Sequence, residues 1–230
     1  MGLRSVAVAL AASSVALAMP AVADEGAPEF TGRLTAGWAM PVGASSDYVQ
    51  SGFSASAGFD WRPYPTSSWV LQGDLSWSRF NAEQRLVDLA QSATPDVQID
   101  EGLVRAWGLT GGIKYYFPFS PSVKGHPLGA AFYALGGVGA YHREVEMTQT
   151  VLVTPLPANC DWFGYCYPGS PAAGDVLVYS KGTTKFGWNV GLGVEFPLES
   201  HQWWYIEARF HRIETTNATE FVPISVGVRF

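Results

Sequence analysis

Over much of the chain every second residue is apolar. The run Phe221-Val-Pro-Ile-Ser-Val-Gly-Val-Arg-Phe230 sets Val222, Ile224, Val226, Val228 and Phe230 against small or polar neighbours. A period of two places these side chains on one face of a β-strand. The same alternation predicts a first strand over about 30–40, where Leu34, Ala36, Trp38 and Met40 oppose Arg33, Thr35, Gly37 and Ala39. A second, over about 52–61, sets Phe53, Ala55, Ala57, Phe59 and Trp61 against Ser54, Ser56, Gly58 and Asp60, and Arg62-Pro-Tyr-Pro-Thr66 reads as a tight turn. A third, over 69–80, sets Trp69, Leu71, Leu75 and Trp77 against Gln72, Asp74, Ser76 and Ser78.

After a polar stretch, 81–101, a fourth strand over about 103–117 alternates Trp107, Leu109, Ile113, Tyr115 and Phe117 with Gly108, Thr110, Gly112 and Lys114. A Pro-rich connection follows. The fifth strand, 128–142, is so rich in Gly and Ala that its two faces look alike and pattern alone sets no register. Residues 143–183 read as the longest loop. The sixth strand, 184–196, turns Phe186, Trp188, Val190, Leu192, Val194 and Phe196 one way and Lys185, Gly187, Asn189, Gly191, Gly193 and Glu195 the other. The seventh, 203–212, separates Trp204, Ile206, Ala208 and Phe210 from Tyr205, Glu207, Arg209 and His211, and the C-terminal run is the eighth.

Composition narrows what such strands do. Residues 1–23 carry Arg4, an apolar run from Val6 to Leu17 and the small-residue site Ala21-Val22-Ala23, the pattern of a cleaved secretory leader. The remainder, 24–230, holds no stretch long and apolar enough for a spanning helix, since even Leu128–Tyr141 is short and broken by Gly129, Gly136, Gly137 and Gly139. A bilayer-crossing chain of this kind crosses with strands. Without Arg4 the chain has 13 basic against 20 acidic residues, a poor surface for nucleic acid. Nine Trp, ten Tyr and thirteen Phe suit aromatic girdles at two membrane interfaces.

Eight strands is an even number, and long connections (41–51, 81–101, 143–183) alternate with short turns; only 215–220 is a short loop on the long-loop side. This layout, the leader and the final Val226-Gly-Val-Arg-Phe230 resemble the small outer-membrane β-barrel family that includes the OmpA transmembrane region, OmpX and opacity-type barrels. The resemblance implies a monomeric, all-β, eight-stranded antiparallel up-and-down transmembrane barrel in the bacterial outer membrane, with both ends periplasmic. It implies outer-membrane lipid and lipopolysaccharide as surroundings, the barrel-assembly machinery as a partner in biogenesis, Phe230 as an assembly signal, and no cofactor. Because the sequence stops at the barrel strand, an OmpA-type peptidoglycan-binding module is not expected. The alternative, a soluble sandwich or lipocalin, turns the apolar faces inward and leaves Asp60, Asp74, Lys114, Glu195, Glu207 and Arg209 outside.

An eight-stranded barrel has an interior only wide enough for its own side chains. The inward phase carries Arg33, Asp60, Asp74, Lys114, Glu195, Glu207, Arg209 and Arg229, and both signs together predict a charge network that closes the lumen; a narrow ion path is the rival reading. Cys160 and Cys166, an even pair in an exported chain, read as a disulfide in the longest loop, with Trp162, Phe163 and Tyr165 between them as a contact tip or a cover over the barrel mouth. No His stands at zinc-ligand spacing to them. His211 with Asn217-Ala218 faintly resembles the His-x-Ser-Asn-Ala segment of outer-membrane lipid A deacylases, but Ile213 occupies the nucleophile's place and Asn217-Ala218 is displaced. A hydrolase would then draw its nucleophile from Thr215 or Thr216 and its orienting acid from Glu214 or Glu207. Asn217-Ala218-Thr219 spells a glycosylation sequon, which a bacterial outer-membrane protein is not expected to use. The expected role is therefore structural or surface-interacting and not enzymatic, possible extracellular ligands meeting the long loops, with a small porin and a lipid hydrolase as alternatives.

Overall fold

The computed structural model describes residues 29–64, 66–93, 98–117, 130–153, 159–160, 166–167, 172–199, 202–215 and 218–230, without the side chains of 152–153, 159–160, 166–167, 172–173 and 199. The expected leader, 1–23, lies outside these residues. Ten strands are present among them: β1 (Glu29–Pro41), β2 (Gly52–Arg62), β3 (Trp69–Asn81), β4 (Glu101–Tyr116), β5 (Ala131–Val153), β6 (Asn159–Cys160), β7 (Cys166–Tyr167), β8 (Ala172–Glu199), β9 (Gln202–Ile213) and β10 (Thr219–Arg229). Eight of them close into a barrel in the order β1-β10-β9-β8-β5-β4-β3-β2, every neighbour antiparallel. The short pair β6-β7 stands apart. No described helix is long and apolar enough to cross a membrane.

The alternation works as the sequence predicts. Leu34, Trp38, Leu71, Leu75, Leu109, Ile113, Val190, Leu192, Val226 and Val228 are exposed on the outside, while Arg33, Asp74, Lys114, Asn189, Glu195 and Glu207 are buried inside. Aromatic pairs bound the outer face. Phe30 and Trp38, Phe53 and Trp61, Trp69 and Trp77, Trp107 and Tyr115, and Trp188 and Phe196 each stand eight residues apart in the outward phase. Neighbouring strands bring their ends into contact, with Phe30–Phe59 at 5.2 Å, Trp69–Tyr115 at 4.6 Å and Phe196–Trp204 at 4.4 Å in the lower row. Phe53–Trp77, Trp77–Trp107 and Trp188–Phe210 make the upper row. Eight residues at about 3.3 Å each, tilted by about 40°, separate the rows by about 20 Å, close to the apolar band of roughly 25 Å expected for such barrels.

The fifth strand, whose register the sequence leaves open, turns Tyr133, Leu135 and Tyr141 inward and Phe132 and Val138 outward. Space decides this. Tyr141 fills room left by Gly108 and Gly187, where an added Cβ would meet its ring at 2.7 and 2.6 Å. Tyr133 lies over Gly193 in the same way. In a barrel this narrow, a large inward side chain needs a small one opposite it.

Two expected loops contain structure. Residues 143–183 are mostly strand, because β5 and β8 stay paired from the barrel out to Val153↔Ala172, with one register shift at Met147/Thr148. They form a projecting hairpin, and β9 joins β8 only from Gly187 onward. Within 81–101 lies a helix, α1 (Gln84–Ala93), whose Val87 joins Ile99 and Met147 in a small core flanked by Leu86, Ala90, Val145 and Val178. Leu86, Val87 and Ala90 share one helical face, which is the amphipathic signal for this element.

Candidate functional site

The lumen is filled in layers. Seven barrel strands each place at least one charge in its lower part: Arg33 from β1, Asp60 from β2, Asp74 from β3, Lys114 from β4, Glu195 from β8, Glu207 and Arg209 from β9 and Arg229 from β10. Alternation aims them all inward, and the narrow bore brings all eight into one connected set of ion pairs. Arg33 reaches Asp60 at 3.0 Å, Asp74 at 2.5 Å and Glu207 at 3.9 Å. Arg209 spans Asp74 at 2.9 Å and Glu207 at 2.7 Å. Lys114 joins Asp60 at 2.7 Å to Glu195 at 3.3 Å, and Glu195 meets Arg229 at 3.3 Å. Arg229 also approaches Glu29, 3.6 Å away. Four cations thus face four carboxylates within the set, which is neutral as a whole.

Tyrosines complete this layer. Tyr133 donates to Glu207 at 2.9 Å and Tyr116 to Glu195 at 2.9 Å. The Lys114 ammonium, fully buried, lies 4.6 Å from the Tyr133 ring centre. Charge-assisted hydrogen bonds and cation–π contact are the interactions that make a buried ammonium tolerable. β5, which adds no charge to this layer, supplies Tyr133.

Above the ion pairs the wall turns to hydroxyls. Thr35, Ser54, Ser56, Ser76 and Ser225 line a cavity with Glu207, Arg209 and His211, with about 20 Å³ open to the centre of a water molecule. That is room for about one or two waters, with polar partners on several sides. His211 roofs it, sharing a hydrogen bond of 2.9 Å with Tyr141 Oη and stacking on Phe221 at 5.0 Å.

From there outward the lumen is mostly apolar, with Arg143 of β5 donating to Thr219 Oγ1 at 2.7 Å. Ala39, Val49, Phe80, Val104, Ala106, Tyr141, Ile213 and Phe221 pack into one buried cluster, with Phe80 edge-on to Phe221. Val49 reaches it from the first outer connection, where a short 3-10 helix, Gly43–Asp47, precedes the bridge Val49↔Ala82. The sequence reading missed this layer. Its signal lay in the phase: Ala39, Phe80, Val104, Ala106, Ile213 and Phe221 continue the inward positions, yet are apolar.

The remaining sequence-predicted residues are scattered. Cys160 and Cys166 are direct Cα partners in the β6-β7 pair; their side chains, and Trp162, Phe163 and Tyr165, lie outside the described residues. Phe230 closes the β1-β10 seam through backbone bonds with Gly32 of 2.8 and 3.0 Å, its ring outward. His211 is buried inside, turned away from the outer lipid on which a hydrolase would act. Glu207 is held by Arg209, Glu214 by Arg212 at 3.0 Å, and Thr216 and Asn217 lie outside the described residues.

Comparison with known proteins places this architecture. The family model described as "Outer membrane protein beta-barrel domain" matches residues 8–230. Among solved structures the chain is similar to Neisserial surface protein A at 12% identity, covering 88% of this chain and 97% of that one, with a TM-score of 0.48. It is also similar to Ail of Yersinia pestis in complex with the heparin analogue sucrose octasulfate, at 14% identity, 88% and 99% coverage and a TM-score of 0.44. The N-terminal β-barrel domain of Pseudomonas aeruginosa OprF follows at 13% identity, 89% and 99% coverage and 0.39. No curated protein matches. With strands, girdles and an inward polar phase in agreement with the family match, the chain belongs to the outer membrane protein β-barrel family and is a protein of the outer membrane.

Proposed function

We propose that the protein is a closed barrel that works at its outer surface, its lumen a rigid plug and its β5-β8 hairpin the part that meets other molecules. The observation that carries this reading is the eight-membered ion-pair set beneath the apolar cluster. An ion path needs sites that an ion enters and leaves. Here each cation of the lower lumen is held by carboxylates, and beyond the small hydroxyl-lined cavity the lumen is mostly hydrocarbon. Steady conductance in planar bilayers is the test; traces that stay flat across the voltage range support the plug, and ohmic steps identify a small porin.

The surface role rests on the hairpin. From 174 to 185, β8 has a strand partner on one side only among the described residues, and Val176, Leu177 and Tyr179 are exposed there. An unpaired strand edge with apolar side chains is a template for adding a strand from another chain. Lys181 and Lys185 interrupt it, a pattern that limits indiscriminate pairing. A Cys160–Cys166 disulfide across the β6-β7 register would fix the distal end of this arm. Export by the 1–23 leader and recognition of Phe230 by the assembly machinery complete the reading; Phe230→Asp is expected to lower the amount of heat-modifiable, folded protein in outer-membrane fractions.

A further inference from the structure

The β5-β8 hairpin has two faces of unlike charge. Direct partners across an antiparallel pair share a face, so Lys185 stands beside the buried Tyr141, and Lys181 beside Val145, which packs on the apolar cluster. Arg143 lies between those two β5 residues in the same phase, opposite Thr183. The inner face therefore carries Arg143, Lys181 and Lys185, while Glu144 and Glu146 occupy the outer face and are engaged by Arg105. None of the three inner cations has an ion pair among the described residues. Arg143 Nη1 donates to Thr219 at 2.7 Å, its Nε is buried without a partner, and both lysines are exposed.

These cations surround a notch in the barrel rim. β9 ends at Ile213, opposite Gly187, and Glu214 N donates the last backbone bond to Phe186 O at 2.9 Å. Residues two apart in a strand turn their backbone groups the same way. Thr184, Gly182 and Ser180 thus direct N–H and C=O into the space where β9 would continue. Lys181 and Lys185 flank this edge on the inner side. Arg143 reaches from β5 across the base of the notch to Thr219, the direct partner of Ile213.

Two features specify the occupant: a free backbone edge accepts an extended chain, and uncompensated cations accept carboxylates. A second copy is a poor match. Laid antiparallel over 180–186, another β8 edge sets Lys181 of each copy against Lys185 of the other, and like charges directly opposite are destabilising. We propose that the free edge of β8 takes up an acidic extended segment of a partner protein, its backbone continuing the sheet and its alternate carboxylates facing Lys181, Arg143 and Lys185. Acidic residues opposite the two lysines form cross-strand pairs, and one opposite Thr183 faces the Arg143 side. The inference rests on the reading that the hairpin works by strand addition, and it names the chemistry of the strand.

The test uses the full barrel refolded in nanodiscs and synthetic peptides of about nine residues, the length of an ordinary strand. Three peptides carry Glu, Gln or Lys at alternate positions, and a fourth keeps the Glu residues but has its edge-facing amides N-methylated. Affinity is read by fluorescence anisotropy, and pairing by hydrogen-exchange protection of the Gly182 and Thr184 amides. The Glu peptide is expected to bind roughly tenfold tighter than the Gln peptide, an advantage that shrinks with added salt, and the Lys peptide not detectably. N-methylation should abolish both binding and protection. Lys181→Gln combined with Lys185→Gln should erase the preference for Glu, the paired Arg substitutions should keep it, and Arg85→Gln, in the α1 ion pair with Asp47, should leave it intact. Heat-modifiable mobility checks that each variant folds. Equal binding of the Glu and Gln peptides overturns the acidic partner, while protection of the edge by both would leave strand addition standing. Absence of protection with every peptide overturns both readings. An N-methylated Glu peptide or a sulfated polysaccharide that binds as tightly as the unmodified Glu peptide also overturns the proposal, by assigning the notch to a free polyanion.

Discussion

The lower and upper halves of the lumen are built by the same strands in the same inward phase, and they are filled by opposite means. Below, β3 and β9 contribute Asp74, Glu207 and Arg209 to a neutral web of ion pairs; above, the same two strands contribute Phe80 and Ile213 to an apolar cluster. The alternation therefore specifies which way a side chain points, and depth specifies its chemistry. The halves should also fail differently. A buried charge that loses its partner is worse off than a buried hydrocarbon that loses a neighbour, because the charge cannot return to water inside a closed wall.

The largest effect is expected in the lower half. Arg209→Ala strips Asp74 and Glu207 of one of the two cations they share, leaving Arg33 to serve both, and should lower stability by about 3–5 kcal/mol, seen as an earlier midpoint in urea unfolding, and it should open a measurable leak in planar bilayers. Added salt should not mimic the change, since buried pairs are poorly screened. If Arg209→Ala alters ion selectivity while the midpoint stays put, the plug reading fails. Next comes a steric probe of the same layer: Gly193→Ala puts a methyl into the Tyr133 ring, and overpacking of this kind costs about 1–3 kcal/mol. Because Tyr133 donates to Glu207, the variant should also loosen the ion pairs, and a smaller residue at 133 should relieve it.

The upper half should yield less. Ile213→Val removes one methylene from a fully buried site and is expected to lower stability by about 0.5–1.5 kcal/mol, with no conductance, because hydrocarbon still closes the bore. Conductance in this variant would show that the apolar layer is the true gate. The smallest effect is expected beyond both halves: Cys160→Ser should leave the barrel's unfolding midpoint unchanged and only speed proteolysis near the hairpin end. Non-reducing peptide mass spectrometry of the wild type should show Cys160 linked to Cys166, and free thiols at both positions would remove the disulfide from the account.

The sequence was most legible where lipid imposes contrast. In β2, β3, β8 and β9 one face meets hydrocarbon and the other a crowded polar bore, so Asp60, Asp74, Glu195, Glu207 and Arg209 could be assigned inward from period two alone. Contrast is lost in three places. The fifth strand has Gly and Ala on both faces, and its register depends on the fit of Tyr133 and Tyr141 against distant glycines, which no local pattern encodes. The upper inward positions are apolar like the outward ones, so Ala39 beside Met40 gives no hint of a separate core. Residues 143–153 and 174–183 stand above the bilayer, where a strand needs no greasy face; Arg143, Glu144 and Glu146 therefore read as loop although their backbone is paired. The short α1 face of Leu86, Val87 and Ala90 was hidden within a polar stretch for a related reason, its core being only a few residues wide.

The eight-residue spacing of the girdle rings acts as a depth gauge. A shift of the barrel along the bilayer normal by even one row would push one belt of tryptophan and phenylalanine into hydrocarbon and lift the other into water, and five strands would suffer it together. The vertical position is thus set, and everything above inherits it. From His142, at the upper belt, to Val153 the β5 strand runs eleven residues, about 35 Å of backbone at roughly 3.3 Å each. Even tilted at about 40°, that carries the end of the hairpin some 25 Å or more beyond the belt, well past a headgroup layer of only about 5–8 Å. The girdle fixes the protein's waterline, and with it the distance at which the hairpin arm is held clear of the membrane.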